Sequence, residues 1–363
     1  MSHTPHIVQA ADVDFSAVSA DARLLAFDLD NTLARSKMPM SDETARLFVS
    51  LTHVLPLAIV TGGRFELIES QVLDAAFQHA YLPHLSLLPA TGTSYYNWDG
   101  HKFIKVYSVE LTESQRRRTY EALERAARQL GLWYDKTDGA QIEDRGSQIT
   151  FSALGQLAHV DLKEAWDPDG AKREHLAQLV RQMLPDLNVR IAGATSIDVA
   201  QKGLDKAFAV RKLAQLHGCR VSDIVFVGDR MDKAGNDYPA ALAGARAIQV
   251  NGPADTNEVM RNFMNVFMHD MSIDVIDRVL WLHGQQVNLS DVEFSLLLAL
   301  MHARGESVTR EKLIQDVWGY TDFQDTRLLS TAITRLRSRI EENPIMPRRI
   351  ITVRGGGYKL VYR

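Results

Sequence analysis

The stretch Leu24-Leu25-Ala26-Phe27-Asp28-Leu29-Asp30-Asn31-Thr32 decides the fold of this 363-residue chain, because an apolar run ends abruptly in two carboxylates. Two other runs end in the same way: residues 57–60 precede Thr61, and residues 224–227 precede Gly228-Asp229. Short continuous apolar runs are typical of strands that are buried on both faces of a parallel sheet. Since the carboxyl ends of parallel strands share one edge, we expect these polar residues to meet there.

Helical patterns separate these strands, and this order predicts an α/β fold with a Rossmann-like parallel sheet. Residues 102–190 lie between the second and third strand endings, and their helix and strand patterns indicate an inserted α/β cap. The core then comprises residues 1–101 and 191–268. A loop signal at residues 251–255 and a helix with Met and Phe precede a separate C-terminal domain, residues 272–363.

The composition is that of an ordinary globular protein, with 45% apolar and 24% charged residues. The single cysteine, Cys219, excludes an internal disulfide and fits a reducing compartment. The N-terminal residues lack the pattern of a signal peptide, and no run reaches the roughly 18 apolar residues of a membrane span. We therefore expect a cytoplasmic protein with no membrane partner.

Asp28 and Asp30 stand two residues apart at a strand end, where two carboxylates can share one magnesium ion and divide two tasks. One attacks phosphorus and becomes an aspartyl phosphate, while the other protonates the leaving oxygen. Thr61 can donate a hydrogen bond to the transferring group, and Lys206 can neutralise its charge. The residues that would complete an oxygen-rich magnesium site are Asp229, Asn236 and Asp237.

This set of residues resembles the haloacid dehalogenase superfamily over residues 24–260. The resemblance is carried by Asp28-Leu29-Asp30-Asn31-Thr32-Leu33, Thr61-Gly62-Gly63, Lys206 and Gly228-Asp229. It implies that Asp28 is the nucleophile and Asp30 the acid and base. It also implies that Asp28, the Asp30 backbone oxygen and Asp229 hold Mg²⁺. The position of the cap resembles the branch that includes sugar-phosphate phosphatases and eukaryotic-type phosphomannomutase.

Three segments are similar to phosphomannomutase: the fourth motif with residues 235–238, Ser196-Ile197-Asp198-Val199, and Arg145 with residues 149–155. The resemblance implies that Arg145, Ser196 and Asp198 contact the substrate, and we expect Gly62 and Gly63 of the second motif at the same site. Arg64, in the first turn of the next helix, can also reach a ligand. Gln156 replaces a second cap arginine of that family, although a mutase must hold a phosphate at each end of a bisphosphate. We therefore prefer a phosphatase acting on a small phosphorylated metabolite, such as a sugar phosphate, to a mutase.

The C-terminal part carries a local excess of positive charge. Residues 271–363 hold 13 Lys and Arg against 11 Asp and Glu, a net charge of +2 in a chain of net −4. Ser290-Asp291-Val292-Glu293 is a capping box that opens a first helix, and further helices are predicted at about 310–318 and 325–341. A hairpin around residues 354–357 follows. The residues predicted to contact DNA are Arg327, Thr331, Thr334, Arg335, Arg337 and Arg354.

Residues 272–363 resemble the winged-helix domain of OmpR-type response regulators. The resemblance is carried by residues 289–294, 317–320, 334–337 and 352–358. It implies that the third helix enters the major groove and the hairpin wing the minor groove of double-stranded DNA. Ser330 and Ala332 replace an acidic residue and a histidine that are usual in that helix, which leaves the base preference open.

Three functions fit these patterns. The first is a transcription regulator whose DNA affinity depends on a sugar-phosphate ligand or on phosphorylation of Asp28. The second is a metabolic phosphatase, or a phosphomannomutase-like enzyme, whose winged helix serves only dimerisation or protein contact. The third is a catalytically idle sensor, ranked last because the residues of all four motifs are present. A homodimer fits these patterns, since winged-helix regulators often bind as pairs.

Overall fold

The structure, a computed structural model, describes residues 5–320 and 327–362, and we number its elements in chain order. The strands are β1 Ile7–Gln9, β2 Leu24–Phe27, β3 Leu57–Val60, β4 Leu85–Leu88, β5 Ser94–Trp98, β6 Phe103–Ser108, β7 Ile142–Asp144, β8 Gln148–Ser152, β9 Leu187–Ile191, β10 Ser196–Gln201, β11 Ile224–Gly228, β12 Arg246–Gln249, β13 Met271–Asp274, β14 Val279–Leu282, β15 Gln285–Val287, β16 Val308–Thr309, β17 Ile350–Val353 and β18 Gly357–Leu360. The α-helices are α1 Phe15–Ser19, α2 Asp42–Thr52, α3 Phe65–Ile68, α4 Asp74–Ala76, α5 Glu113–Gln129, α6 Val160–Trp166, α7 Ala171–Met183, α8 Lys206–Leu216, α9 Tyr238–Leu242, α10 Pro253–Met268, α11 Asp291–His302, α12 Arg310–Trp318 and α13 Arg327–Ile340.

An eight-stranded sheet forms the core, in the order β1-β12-β11-β2-β3-β4-β5-β6. Strands β11, β2 and β3 are adjacent, parallel and buried along their whole length. The three apolar runs therefore form neighbouring strands, and the predicted Rossmann-like parallel sheet is confirmed. Two features were not predicted. Strand β1 pairs with β12 at one edge, and the antiparallel pair β5 and β6 extends the other.

The cap is a four-stranded antiparallel sheet in the order β7-β8-β10-β9, and helices α5 and α7 pack against it. Its boundaries differ from those that we placed at residues 102 and 190. Strand β6 lies in the core sheet and reaches residue 108, whereas β9 and β10 lie in the cap sheet and reach residue 201. Buried and partly exposed residues alternate in β9 and β10, as in a sheet that is covered on one face. These two strands therefore suit the cap sheet and not the core sheet, which is covered on both faces.

The C-terminal domain joins the core almost directly, because α10 ends at Met268 and β13 begins at Met271. It contains a sheet β13-β14-β15, the helices α11, α12 and α13, and a sheet β16-β18-β17. The predicted helices and wing hairpin are thus present, and the winged-helix fold is confirmed. Asp325, where we expected the third helix to begin, lies outside the described residues, and the described helix begins at Arg327.

One apolar cluster runs from the core into the C-terminal domain. It includes Phe263 and Met268 of α10, Ile273 of β13 and Phe294 of α11, all nearly free of solvent contact. Helix α10 also packs on α2, and both helices contact β13. Burial of this shared apolar surface stabilises the contact between the two domains. No helix among the described residues is long and apolar enough to cross a membrane.

Candidate active site and DNA-binding surface

Asp28 lies at the end of β2, where its backbone N–H donates to the Val227 carbonyl oxygen of β11 at 2.9 Å. The carboxylate is 4% exposed and its Oδ1 lies 2.5 Å from the Nζ of Lys206. Lys206 opens α8, is fully buried and also forms an ion pair with Asp237. The start of α8 therefore brings Lys206 of the third motif into direct contact with Asp28 of the first motif.

Carboxylate oxygens of Asp28, Asp229 and Asp237 all lie within 4.8 Å of one another. Two glycines make this packing possible. A Cβ on Gly228 would lie 2.4 Å from the Asp237 carboxylate, and a Cβ on Gly235 would lie 2.0 Å from the Arg230 carbonyl oxygen. Oxygen donors at this spacing are the kind of ligand that a divalent cation takes in proteins.

The electrostatics of this cluster also favour a cation. Burial raises the pKa of Asp28 to about 7, with a further rise from the charge of Asp237, while Lys206 acts in the opposite direction. Burial, followed by the charge of Asp237, raises the pKa of Asp229. Burial alone would lower the pKa of Lys206, but the two carboxylates outweigh it and raise that pKa. The three carboxylates thus fit a divalent ion, which would relieve the repulsion between them.

Asp30 and Asn236 are not part of this carboxylate cluster. Asp30 directs Oδ1 to the backbone N–H of Lys37 at 3.0 Å and to Nε2 of Gln71 at 3.5 Å. Asn236 has an exposed side chain beside the buried Asp237. Gln71 was not predicted: it is 1% exposed in a π-helical turn, Glu69–Leu73, and no local sequence pattern marks it. The role of the Asp30 backbone oxygen as a ligand of Mg²⁺ stays a prediction.

The second motif forms a tight turn at the end of β3. Thr61 is buried, and its Oγ1 accepts from the Gly63 N–H at 3.0 Å. A Cβ on Gly63 would lie 2.5 Å from Leu67, whereas Gly62 has open space around it. The neighbouring loop was not singled out from the sequence. There Ala90 and Thr91 have φ of 49° and 61°, so two non-glycine residues in succession occupy the left-handed region.

The two predicted substrate arginines meet on a single carboxylate. Arg64, at the start of α3 in the core, lies 3.1 Å from Glu143 Oε1 of the cap. Arg145 donates from Nε and Nη2 to Glu143 Oε2 at 2.8 and 2.6 Å. Glu143 was not predicted, although its place two residues before Arg145 on β7 is a signal that could have found it. This ion-pair group connects the cap to the core.

Ser196 and Asp198 lie on β10 of the cap sheet, not in the core where the predicted boundary put them. Asp198 Oδ1 accepts from Thr150 Oγ1 at 2.7 Å on the neighbouring strand. The structure thus places Arg145, Ser196 and Asp198 together in the cap, and Gly62, Gly63 and Arg64 together in the core.

The predicted DNA-contacting residues divide into two groups. The exposed group on α13 and at the wing tip comprises Arg327, Thr331, Thr334, Arg335 and Arg354. Thr334 Oγ1 donates to the Ser330 carbonyl oxygen at 2.8 Å, as hydroxyls within helices commonly do. Arg337 is different, because its guanidinium donates to the Ile350 carbonyl oxygen at 2.6 and 3.1 Å and to Thr352 Oγ1 at 2.9 Å. Its contacts fix the helix to the wing.

Two families match consecutive parts of the chain. The family described as eukaryotic phosphomannomutase matches residues 95–266, which span the cap and the second half of the core. The family described as transcriptional regulatory protein, C terminal, matches residues 284–360. Both agree with the resemblances found in the sequence.

Among known proteins, the DNA-binding response regulator MtrA of Mycolicibacterium smegmatis is 41% identical over 194 residues, 50% of this chain and 79% of that protein. The probable transcriptional regulator ycf27 of Cyanophora paradoxa is 41% identical over 99 residues, 27% of this chain but only 41% of that protein. A solved structure of the Plasmodium falciparum IMP-nucleotidase is similar with a TM-score of 0.56 and 15% identity, covering 75% of this chain and 74% of that chain. This last likeness concerns the fold.

Proposed function

Because the chain belongs to the haloacid dehalogenase superfamily, in its phosphomannomutase-like branch, and ends in an OmpR-type winged-helix domain, we propose that it is a magnesium-dependent phosphatase that also regulates transcription. Its substrate is a sugar phosphate or a similar small phosphate ester. The observation that carries the proposal is the contact of the buried Lys206 with Asp28 inside a three-carboxylate cluster at the end of the parallel sheet.

The reaction proceeds in two steps. An Asp28 oxygen attacks phosphorus, the bond from phosphorus to the ester oxygen breaks, and Asp30 gives that oxygen its proton. Water then attacks the aspartyl phosphate, Asp30 takes the proton from the water, and the bond to Asp28 breaks with release of phosphate. Lys206 balances negative charge on the phosphoryl group, and Thr61 donates a hydrogen bond to it. Asp28, Asp229 and Asp237, with the Asp30 backbone oxygen, would hold Mg²⁺, which supplies further charge neutralisation.

The cap supports a phosphatase better than a mutase. Gln156 stands where a second cap arginine would be needed to hold the far phosphate of a bisphosphate. The cap and core arginines that do exist, Arg145 and Arg64, are already joined through Glu143. We therefore assign them to orientation of one phosphorylated sugar in the cleft, together with Ser196 and Asp198.

The C-terminal domain supports binding of double-stranded DNA, with α13 in the major groove and the wing at the minor groove. Its exposed cations Arg335 and Arg354 suit phosphate and groove contacts. The occupied or phosphorylated state of the phosphatase site sets the DNA affinity, since a ligand that favours one arrangement of the chain shifts the population toward it.

A screen of phosphorylated sugars with the full chain and Mg²⁺ tests the enzyme assignment. Hydrolysis should release inorganic phosphate and disappear in Asp28→Asn. The matched control is Asp161→Asn, which changes an exposed aspartate of the cap and should leave the rate unaltered. No hydrolysis of any sugar phosphate would favour the idle sensor instead.

Selection of duplexes from random sequence by the full chain tests the regulatory assignment. A shared sequence among the selected duplexes, and an affinity that changes when substrate and Mg²⁺ are added to Asp28→Asn, support regulation. Sequence-independent binding with intact hydrolysis would favour the metabolic enzyme whose winged helix serves only for dimerisation or protein contact.

A further inference from the structure

Helix α2 has one end at the proposed phosphoryl-transfer site and the other at the DNA-binding domain. Its first end follows the segment that we call the site loop, residues 31–40, which begins directly after Asp30. Ser41 caps the helix by accepting from the Thr44 N–H at 3.2 Å. Ser41 follows the last residue of the site loop directly. A change in the loop therefore acts on the first turn of α2.

The site loop is tied both to Asp30 and to the helical segment after the second motif. The Lys37 N–H donates to Asp30, Gln71 Nε2 donates to the Met38 carbonyl oxygen at 2.9 Å, and the Met40 N–H donates to the Gln71 carbonyl oxygen at 2.9 Å. A change in the position of Asp30 therefore alters the contacts that hold the loop.

Two features of the site loop and its contact with Gln71 are energetically unfavourable. Lys37 has a φ of 61°, in the left-handed region that residues other than Gly, Asn and Asp adopt at a cost. Gln71 Oε1 is buried without a hydrogen-bond partner among the described residues. A second arrangement of the loop, favoured when the site is occupied, can relieve both features.

Three residues on one face of α2 contact the DNA-binding domain. Arg46, Ser50 and His53 are spaced by four and three residues, so they lie above one another along the helix. Arg46 Nη1 lies 3.1 Å from Asp274 and 2.5 Å from Asp277, at the end of β13 and in the turn that follows it. These ion pairs are partly exposed.

The two remaining contacts on this face are less accessible. Ser50 Oγ is buried and accepts from the Val275 N–H at 3.2 Å. His53 Nδ1 lies 2.8 Å from His302 Nε2 at the end of α11, and the ring of Tyr81 stacks on His302 at 3.5 Å. Around them the apolar cluster shared by both domains is close-packed, and close-packed interiors transmit a displacement instead of absorbing it.

We propose that α2 transmits the state of the phosphoryl-transfer site to the DNA-binding domain. The site loop acts on the first turn of α2, and Arg46, Ser50 and His53 act on β13 and α11. The inference rests on the proposed function, because the signal that it transmits is occupancy or phosphorylation at Asp28. By linkage, DNA bound to the winged helix changes the affinity of the site for its ligand by the same factor.

Hydrogen exchange of the full chain, followed by mass spectrometry, tests this assignment. The probe is Mg²⁺ with beryllium fluoride, which imitates an aspartyl phosphate. In the wild type we expect altered exchange both at residues 28–40 and at residues 271–302, with a change of about fivefold or more at the second segment. Arg46→Gln should reduce the change at 271–302 by about twofold or more and leave that at 28–40 as it was.

Glu43→Gln is the matched control. Glu43 lies on the same helix and also forms a surface ion pair. Its partner is Arg261 of α10, so both residues of this pair belong to the core domain. The Glu43→Gln variant should show the same change in hydrogen exchange at residues 271–302 as the wild type. A second interface variant is Asp277→Asn. It removes the negative charge of the more exposed of the two aspartates that pair with Arg46, and it should behave like Arg46→Gln.

The possible failures can be told apart. Protection at residues 28–40 with unaltered exchange at 271–302 would overturn the role of α2 while leaving the phosphatase proposal intact. An equal loss of the response in Glu43→Gln and Arg46→Gln would also overturn it, since the effect would then belong to helix stability alone. Absence of any response at residues 28–40 would contradict phosphoryl chemistry at Asp28, and the transmission with it.

Discussion

His53 of the core and His302 of the DNA-binding domain face each other, with Nδ1 of the first 2.8 Å from Nε2 of the second. The tautomers follow from the hydrogen-bond network. His53 Nε2 lies 2.8 Å from the His79 carbonyl oxygen, which can only accept, so Nε2 carries the proton and Nδ1 accepts from His302. The contact is therefore made by two neutral rings, and a charged pair would repel across it.

The pair makes stability depend on pH. Burial lowers the pKa of His53 to about 4 and that of His302 to about 2, with repulsion between the rings as a further cause for His302. In the unfolded chain both return to 6.5, so the unfolded state binds more protons below that pH. The contribution of the neutral histidines to the free energy of unfolding is complete above pH 6.5 and is lost as the pH falls toward 4. For His53 this loss is on the order of 3 kcal/mol.

Urea unfolding of the full chain between pH 7.5 and 4.5 measures this loss. In His302→Phe the slope of the unfolding free energy against pH should be smaller, because one titrating ring is gone while the stack on Tyr81 is kept. His84 has its pKa lowered to about 4 by burial and faces the same cluster, so part of the slope should persist. Identical slopes in the two proteins would contradict the prediction.

A second prediction concerns the buried cation of the site. Lys206→Met leaves Asp28 and Asp237 side by side in a solvent-excluded place without a balancing charge. We expect the loss of hydrolysis and a decrease in the unfolding free energy of about 3–5 kcal/mol without Mg²⁺. The double variant Lys206→Met/Asp237→Asn removes one carboxylate charge and should recover most of the stability but none of the activity. Chemical denaturation and a phosphate-release assay separate the two effects.

The strained loop beside the second motif gives a third prediction. Ala90→Gly should raise the unfolding free energy by about 0.5–1 kcal/mol, because glycine adopts the φ of 49° without steric cost and loses only part of this gain to chain entropy. The contrasting variant is Gly92→Ala. Its Cβ would lie 2.6 Å from the Cβ of Ala209, so it should destabilise the protein. Thermal unfolding of both variants tests this, and a destabilised Ala90→Gly would show that the left-handed backbone is not under strain.

Much of this site could be predicted from the sequence because its residues stand next to long local signals. Asp28, Thr61 and Asp229 each follow an apolar run, and runs of that kind form adjacent parallel strands. The direction of the strands then fixes the edge at which the polar residues meet. The helices of the C-terminal domain were equally accessible, since capping residues such as Ser290 mark their starts.

The remaining features depend on contacts that no local pattern reveals. His53 and His302 are 249 positions apart, and each is an ordinary polar residue at a helix end. Gln71 contacts the site loop from a π-helical turn that no local sequence pattern indicates. The second cap boundary was placed before β10, because β10 has the short alternating pattern of many strands and only its pairing with β8 and β9 assigns it to the cap.

The acid role of Asp30 predicts a dependence on the leaving group. Asp30→Asn cannot protonate the ester oxygen, so formation of the aspartyl phosphate should slow by about 10²–10⁴-fold for a sugar phosphate. With 2,4-dinitrophenyl phosphate, whose leaving oxygen needs no proton, the burst of phenolate should keep nearly its wild-type rate. Rapid-mixing kinetics measures both. Equal slowing for the two esters would assign Asp30 to positioning of the site loop, which it contacts through Lys37, and not to proton transfer.

The last prediction separates two arginines of α13 that the sequence treats alike. Arg335 is exposed, whereas Arg337 donates to the Ile350 carbonyl oxygen and Thr352 Oγ1 and lies 5.8 Å from the Tyr358 ring centre. Arg335→Ala should weaken binding to a mixed-sequence duplex and reduce the dependence of log affinity on log salt by about one, with unaltered stability. Arg337→Ala should instead destabilise the winged helix by about 1–3 kcal/mol, because the wing carbonyl loses its donor. Fluorescence anisotropy across a salt series, paired with denaturation curves, distinguishes the roles, and a reversed pattern would place Arg337 at the DNA.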